Sequence, residues 1–460
     1  MDYNQLLLLL QNKSIATGLS SCIERKRKIR RLEQVVYRRR DEIRQAMHDD
    51  FGKPRLEVDY TETYVVLAEA RHTRRNLKQW LATQPVGTPL SLFGNRSEIR
   101  LESKGVVLII SPWNFPFNLS LIPVINAIAA GNSVILKPSE HTTQSARLLS
   151  SIIEEAFPDG EVVVVEGGPN VSQDLIALPV DHIFFTGSTE VGHKVMEAAA
   201  KNLTSLTLEL GGKSPVFIDK SANINAAAKS ISWGRYLNAG QTCVAPDYVL
   251  VHEDVADKFI AAIHEESKKF STEYQGVMSK IAHSGHLDRI ASMIADSQGN
   301  CERLIGGEID FETRVCSPTI VINPAENSLV ATEETFGPIL TLFTVKNLDE
   351  AIENINSREK PLSLYIFSKS RKTQEKIIAE TRAGSTVINQ TVIHFNNSNL
   401  PFGGSGKSGF GKTHGYHGFM EFTDQRAIMK KSLPITSSLL VFPPHTRFKE
   451  KVAEIAMRWL

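Results

Sequence analysis

From Gly105 to Gly212, short runs of Val, Ile and Leu alternate with amphipathic stretches of helical length, and this alternation limits the possible fold more than any other feature of the chain. The run "VVLIIS" (Val106–Ser111) precedes a helical stretch over Leu119–Ala130 that Gly131 stops, and "SVILK" (Ser133–Lys137) precedes one over Thr142–Phe157. "EVVVVEG" (Glu161–Gly167) and "HIFFTGS" (His182–Ser188) repeat the pattern, the second leading into Val191–Lys201, and "SLTLELGG" (Ser205–Gly212) closes the series. Strands that are apolar on both faces and separated by helices form a parallel, doubly wound α/β sheet. Such a sheet binds ligands beyond the carboxyl ends of its strands. Four of those ends carry polar or Gly-rich residues: Pro112-Trp113-Asn114, Lys137-Pro138-Ser139-Glu140, Thr186-Gly187-Ser188 and Glu209-Leu210-Gly211-Gly212.

The chain is long enough for more than one such unit, since 460 residues exceed a single comfortable core. A second alternation follows Trp233, with "YVLVH" (Tyr248–His252), "PILTLFTV" (Pro338–Val345), "LSLYIFS" (Leu362–Ser368) and "STVINQ" (Ser385–Gln390) as strands. The expected organisation is a Rossmann-like cofactor domain of residues 1–82 and 105–208 and a second α/β catalytic domain over 209–400. A small bridging arm of residues 83–104 and 422–445 and an amphipathic helix over 446–460 complete it. The first part reads as helical to about Ala82, interrupted at Phe51-Gly52-Lys53-Pro54. In its basic cluster, Ile29, Leu32, Val36, Ile43 and Met47 fall at helical spacing, so the arginines read as the solvated side of an amphipathic helix rather than a nucleic-acid patch. Lys+Arg 52 against Asp+Glu 51 supplies no global field toward nucleic acid or an acidic surface. No apolar run reaches the ~18 residues of a membrane helix, and the amino end lacks the basic segment of a secretory signal. The four cysteines, Cys22, Cys243, Cys301 and Cys316, form no CxxC pair, so a reducing cytoplasm is the expected location.

Chemistry concentrates at a few of these positions. Cys243 stands in "GQTCVAPDY", where small neighbours allow a substrate to approach the backbone and the cysteine N–H can face a developing oxyanion. A buried packing cysteine fits the same residues. Glu209 ends an apolar strand, where burial suits a general base that takes a proton from water, or a carboxylate bonded to the backbone of Gly211 and Gly212. Asn114 offers a neutral amide donor, or a turn asparagine, and Lys137 with Glu140 offers hydrogen bonds to ribose hydroxyls, or a surface ion pair. The segment Gly187–Gly192 opens a helix whose N–H groups suit a pyrophosphate, although its spacing is not that of G-x-G-x-x-G. His414 and His417 lie three apart without acidic or cysteine company, which reads as solvated or structural histidines and leaves no metal set.

Taken in order, "PWNFP", "KPSE", "FTGS", "LELGGKSP", "GQTCVAPDY", "EETFGP" and "PFGGSGKSGFGKTHG" make the chain resemble the aldehyde dehydrogenase superfamily, and more closely its class-three branch, from about Tyr60 through Gln425. The resemblance implies an oxidoreductase that converts aldehydes, medium-chain aliphatic or aromatic, to carboxylic acids through a Cys243 thiohemiacetal and thioester, with Asn114 at the oxyanion and Glu209 activating water. It implies NAD as cofactor with NADP accepted, held by Lys137 and Glu140 at the adenosine ribose, Gly187 and Ser188 near the phosphates, and Trp113, Glu334 and Phe336 at the nicotinamide end. Glu333 is the neighbouring alternative to Glu334, and Lys213 receives no role. By family position the substrate pocket includes Tyr60, Tyr64, Phe115, Ile393 and His394. A homodimer is the expected assembly, and a small-molecule aldehyde the expected partner. The competing readings are a thiol esterase or hydrolase using Cys243 without hydride transfer, transfer of the acyl group to coenzyme A or phosphate, and a non-catalytic binding protein.

Overall fold

The computed structural model describes residues 2–272 and 278–459. The chain up to Trp80 is helical, with helices at Tyr3–Gly18, Cys22–Arg38, Arg40–Phe51, Arg55–Val58 and Tyr64–Trp80. Ile29, Leu32, Val36, Ile43 and Met47 are all fully buried, so the spacing identified the inward face. One arginine of that cluster departs from the expected solvated side. Arg25 is buried and donates to the carbonyls of Gly18 (2.7 Å) and Ala129 (3.0 Å), where it satisfies carbonyls at the ends of two helices that have no partner within them.

Strands β1 (Gln84–Val86) and β2 (Asn95–Ser103) then form the start of a separate antiparallel arm. The alternating segment supplies β3 (Val106–Ile110), β4 (Ser133–Lys137), β5 (Val162–Val164), β6 (His182–Gly187) and β7 (Ser205–Leu210). These pair in parallel in the order β7-β6-β3-β4-β5, with helices between them at Asn118–Ala130, Thr143–Ala156, Pro169–Ile176 and Thr189–Ala200. The chain moves outward from β3 to β5 and then crosses to β6 on the other side of β3. The crevice of a doubly wound sheet opens at such a switch point, here between the segments that follow β3 and β6.

Only four residues, Gly211–Ser214, separate β7 from β8 (Pro215–Ile218), which belongs to a second sheet. That sheet is completed by β9 (Tyr248–His252), β10 (Cys301–Ile305), β13 (Thr319–Pro324), β14 (Ile339–Val345), β15 (Ser363–Phe367) and β16 (Ser385–Ile388), while β11 (Ile309–Asp310) and β12 (Val315–Cys316) form a small hairpin beside it. Its order is β10-β13-β14-β9-β8-β15-β16, parallel except for β10. Because β7 leaves one sheet where β8 enters the other, the carboxyl edge of the first faces the amino edge of the second. The residues preceding β9 and β14 therefore look toward those following β3, β6 and β7.

The Gly-rich tail returns to the first unit, where β17 (Gly409–Phe410) pairs antiparallel with β7 and sets Gly409 opposite Glu209. Finally β18 (Thr423–Lys431) pairs with β2 along nine residues and completes the arm. The last helix runs Arg447–Trp459, with Leu460 of the expected span outside the described residues. Among the described residues no single helix is long and apolar enough to cross a membrane.

Candidate active site

Where the two sheet edges meet lies a cavity of about 390 Å³, walled by Asn114, Gly187, Glu209, Cys243, Glu334 and Phe336 among others. The wall after β3 is fixed by two buried polar groups. A single π-helical turn, Asp59–Thr63, turns Glu62 inward, and its carboxylate accepts from the N–H groups of Phe117 (3.1 Å) and Asn118 (2.9 Å), capping the next helix. Lys53 pairs with Glu62 at 3.2 Å with both side chains shut off from solvent. The carbonyl of Asn114 in turn accepts from Lys53 (3.3 Å) and Asn238 (2.9 Å). The Asn114 side chain donates from Nδ2 to the Gln241 carbonyl at 3.0 Å. That acceptor fixes the orientation of the amide, and the second hydrogen on Nδ2 is left for another partner.

The cysteine loop is turned sharply by three successive left-handed residues, Asn238 and Ala239 (φ 52° each) and Gly240 (φ 76°). A side chain at Gly240 would begin 2.2 Å from the Gly337 carbonyl, so only glycine passes there. Cys243 follows, partly exposed on the cavity wall. Burial pushes its thiol up to about 12, the Glu334 and Glu209 carboxylates add to the rise, and its own N–H and that of Val244 oppose it. The resting group is thus a neutral thiol.

Glu209 is 6% exposed, and neither carboxylate oxygen has a hydrogen-bond partner among the described residues. Burial raises its proton affinity well above the usual carboxylate range; Lys412 opposes this and Glu421 reinforces it. The reading in which Glu209 is bonded to the backbone after its strand does not hold, because the carboxylate at that place is Glu334. Glu334 lies so close to Gly211 that a side chain there would begin 2.1 Å from its Oε2. Burial pushes Glu334 up to about 7, and a bond from the Gly212 N–H opposes the rise. The neighbouring Glu333 is not on the cavity wall and pairs with Arg289, which is, at 3.2 Å.

The other carboxyl ends carry a donor set suited to a dinucleotide. Lys137, almost fully buried, reaches Glu140 at 2.8 Å, an ammonium and a carboxylate side by side as two ribose hydroxyls require. Ser188 caps the helix Thr189–Ala200 by accepting from the Val191 N–H at 3.3 Å, and Gly187 and Ser188 both line the cavity. The set fits NAD or NADP. Trp113 meets Phe336 edge to face at 5.5 Å and His286 at the same distance, which closes the far wall.

The five pocket positions taken by family resemblance lie off the cavity wall. Tyr60 and Tyr64 are exposed and touch each other at 6.3 Å, and Ile393 is also exposed. Phe115 is buried beneath the Lys53 ammonium at 4.2 Å, and His394 is bonded to Ser363 (3.1 Å) and Ser385 (2.9 Å). Leu119, Ile122, Leu362, Phe402 and His414 line the wall instead. His414 is buried rather than solvated, and burial lowers its ring to about 4, so it is a neutral imidazole. Its position inside the Gly-rich tail gives no periodicity from which to read this.

The aldehyde dehydrogenase family model matches residues 14–428. A 4,4'-diaponeurosporen-aldehyde dehydrogenase of Staphylococcus aureus is 41% identical over 92% of this chain and 93% of its own length. An aldehyde dehydrogenase family 3 member A2 of Pongo abelii is 39% identical over 91% of this chain and 86% of its own. Among solved structures, the substrate-bound state of Staphylococcus aureus AldH has a TM-score of 0.93 and 39% identity, and the match covers 99% of this chain and 100% of that one.

Proposed function

This chain belongs to the aldehyde dehydrogenase family, and we propose that within it Cys243 is the nucleophile, Glu209 the base that activates water and Asn114 a donor to the oxyanion. The protein oxidises aldehydes to carboxylic acids with NAD or NADP. The assignment of roles rests chiefly on the convergence of these three side chains, from three separate segments, on one cavity.

The chemistry follows from their positions. The Cys243 sulfur bonds to the aldehyde carbon as its proton passes to solvent, and the carbonyl oxygen becomes an oxyanion that the free Asn114 amide hydrogen and the Cys243 N–H stabilise. When bound, the nicotinamide cofactor accepts the hydride; Lys137, Glu140, Gly187 and Ser188 would hold its adenosine and phosphates, and Trp113, Glu334 and Phe336 its other end. What remains on Cys243 is a thioester. Glu209 removes a proton from water as it adds to that carbon, the C–S bond breaks, and the proton returns to sulfur. Without a hydrogen-bond partner of its own, the Glu209 carboxylate is left to bind that water.

We assign NAD as the first cofactor because the Glu140 carboxylate repels the additional phosphate of NADP. Medium-chain aliphatic or aromatic aldehydes suit the apolar wall of Leu119, Ile122, Leu362 and Phe402. Four free cysteines agree with a cytoplasmic location, and a homodimer through the arm is the proposed assembly. Hydrolysis without hydride transfer is not favoured, given the family match over residues 14–428.

The test is cofactor reduction with hexanal and benzaldehyde, each with NAD and with NADP. Native protein should yield reduced cofactor and carboxylic acid in equal amounts, faster with NAD. Cys243→Ser should lose turnover, and Glu209→Gln should accumulate an acyl thioester visible by intact-mass measurement. Full turnover in Cys243→Ser, or acid release by Glu209→Gln at the native rate, would remove the assignments.

A further inference from the structure

Five consecutive backbone carbonyls, from Glu333 to Gly337, each accept a hydrogen bond from a side chain that lies outside the segment. Lys213 donates to Glu333 at 2.9 Å, Arg289 to both Glu334 and Thr335, the latter at 3.1 Å, His286 to Phe336 at 2.8 Å, and Arg235 to Gly337. The segment is neither helix nor strand. Phe336 has φ 46°, a conformation that an L residue keeps only where its surroundings impose it. Its shape is therefore set by its neighbours rather than by any regular structure of its own.

The same neighbours grip the cysteine loop. Asp247, four residues after Cys243, accepts from Lys213 through Oδ1 and from the Thr335 N–H (2.9 Å) and hydroxyl (3.0 Å) through Oδ2. Arg235 donates to Gly240 at 2.8 Å and Pro246 at 2.9 Å, on either side of the cysteine. Lys213 stands on the crossover between the two sheets and spends its three ammonium hydrogens on Asp247, Glu333 and Val330, the last at 2.8 Å. Lys213, Asp247 and Arg235 are all withdrawn from solvent. Desolvating two cations and a carboxylate is costly, and apolar side chains fill such space at least as stably. What this cluster contributes is a fixed geometry between two loops.

We propose that Lys213 and Asp247 are positioning residues that lock the 333–337 segment to the cysteine loop, so that Cys243 and the pair Glu334 and Phe336 are set in one frame. The functional consequence rests on the reading that Glu334 and Phe336 hold the nicotinamide end of the cofactor. Lys213 touches neither substrate nor cofactor in this scheme and acts through the segment it holds.

Four variants of the full chain test this: Lys213→Met, Thr335→Val, Thr335→Ser and Glu334→Gln. Amide hydrogen exchange over 330–338 without cofactor, the dissociation constant of NAD by titration calorimetry, and the rate of Cys243 alkylation by iodoacetamide are measured for each. Lys213→Met and Thr335→Val should speed exchange in that segment at least tenfold and weaken NAD binding by a similar factor, while alkylation at pH 5.5, where Glu334 is uncharged, stays within about threefold of native. Thr335→Ser, which keeps the hydroxyl, should remain near native in all three. Thr335→Val is isosteric and keeps Lys213 and Asp247 paired, so it carries the test if Lys213→Met does not fold. Unchanged exchange in both Lys213→Met and Thr335→Val would overturn the proposal, as would faster exchange spread evenly over the chain, which marks general loosening. If the segment loosens while Glu334→Gln and Lys213→Met both bind NAD as native does, the cofactor reading of Glu334 falls and the lock stands.

Discussion

A thiol pushed up to about 12 is a poor nucleophile until its surroundings change, and the residues responsible can be separated by pH. After burial, the largest contribution is Glu334, itself pushed up to about 7 by burial. Above that value Glu334 is charged and opposes ionisation of Cys243; below it the opposition disappears. Glu334→Gln should therefore make the thiol more acidic and speed alkylation of Cys243 at pH 8.5, by roughly tenfold if the thiolate then forms about one pH unit lower. Below pH 6 native and variant rates should converge. A constant ratio between pH 5.5 and 9, measured by mass spectrometry of the labelled peptide, would show that Glu334 exerts no charge on the sulfur. At this scale the sequence exposes Cys243, Glu209 and Asn114 because each stands at an element end in unusual company. It does not separate the candidate roles of Glu209, since the carboxylate bonded after that strand comes from Glu334, 125 positions along the chain. His414 carries no such signal, because its burial comes from the fold of the tail.

Between residues and fold, the device that holds Asn114 is the π-helical turn Asp59–Thr63 with its buried Lys53–Glu62 pair. Burial raises the proton affinity of Glu62, Lys53 opposes that rise most strongly, and the N–H groups of Asn118 and Phe117 also oppose it. Removing the ammonium leaves a carboxyl with no cation in a closed space. Lys53→Met should lower unfolding stability by ~3–5 kcal/mol, the usual cost of orphaning one member of a buried pair, and Lys53→Met/Glu62→Gln should recover part of the loss. Urea unfolding of the two variants decides this; equal loss in both would mean that packing rather than charge is at stake. The interruption at Phe51-Gly52-Lys53-Pro54 is visible as a break in helical periodicity. The pairing across it is not, because a lysine and a glutamate nine positions apart share no face of a regular helix. Strands β3 to β7 are legible for the opposite reason: both faces are covered, so the apolar runs are continuous. In the second sheet β8, β10 and β13 escape the sequence reading, the first because only four residues separate it from β7 and their Gly-rich run reads as the end of the series.

At the scale of the whole molecule, two of the outer strands among the described residues offer edges to a second chain. β18 is the outer strand of the arm, nine residues long and mostly exposed, and β16 is the outer strand of the seven-stranded sheet. Rows of free N–H and C=O groups on such edges are templates for another strand. Apolar side chains accompany them: Ile388 on β16 is 38% exposed, Met429 on β18 is 57% exposed, and Ile435 beyond it is 69% exposed. The arm is its own sheet, so a second copy of the chain can receive β18 along an edge of the larger sheet without disturbing the cavity. Sedimentation velocity should then find a dimer of about twice 51.0 kDa. Ile388→Asp and Met429→Asp together should shift it to monomer, because a carboxylate cannot be left unpaired in a closed interface without a large desolvation cost. Cys243 alkylation should be unchanged in that monomer, since neither side chain lines the cavity. A native protein that sediments as a monomer at micromolar concentration, or a double variant that remains dimeric, would place the association elsewhere and leave the arm without this role.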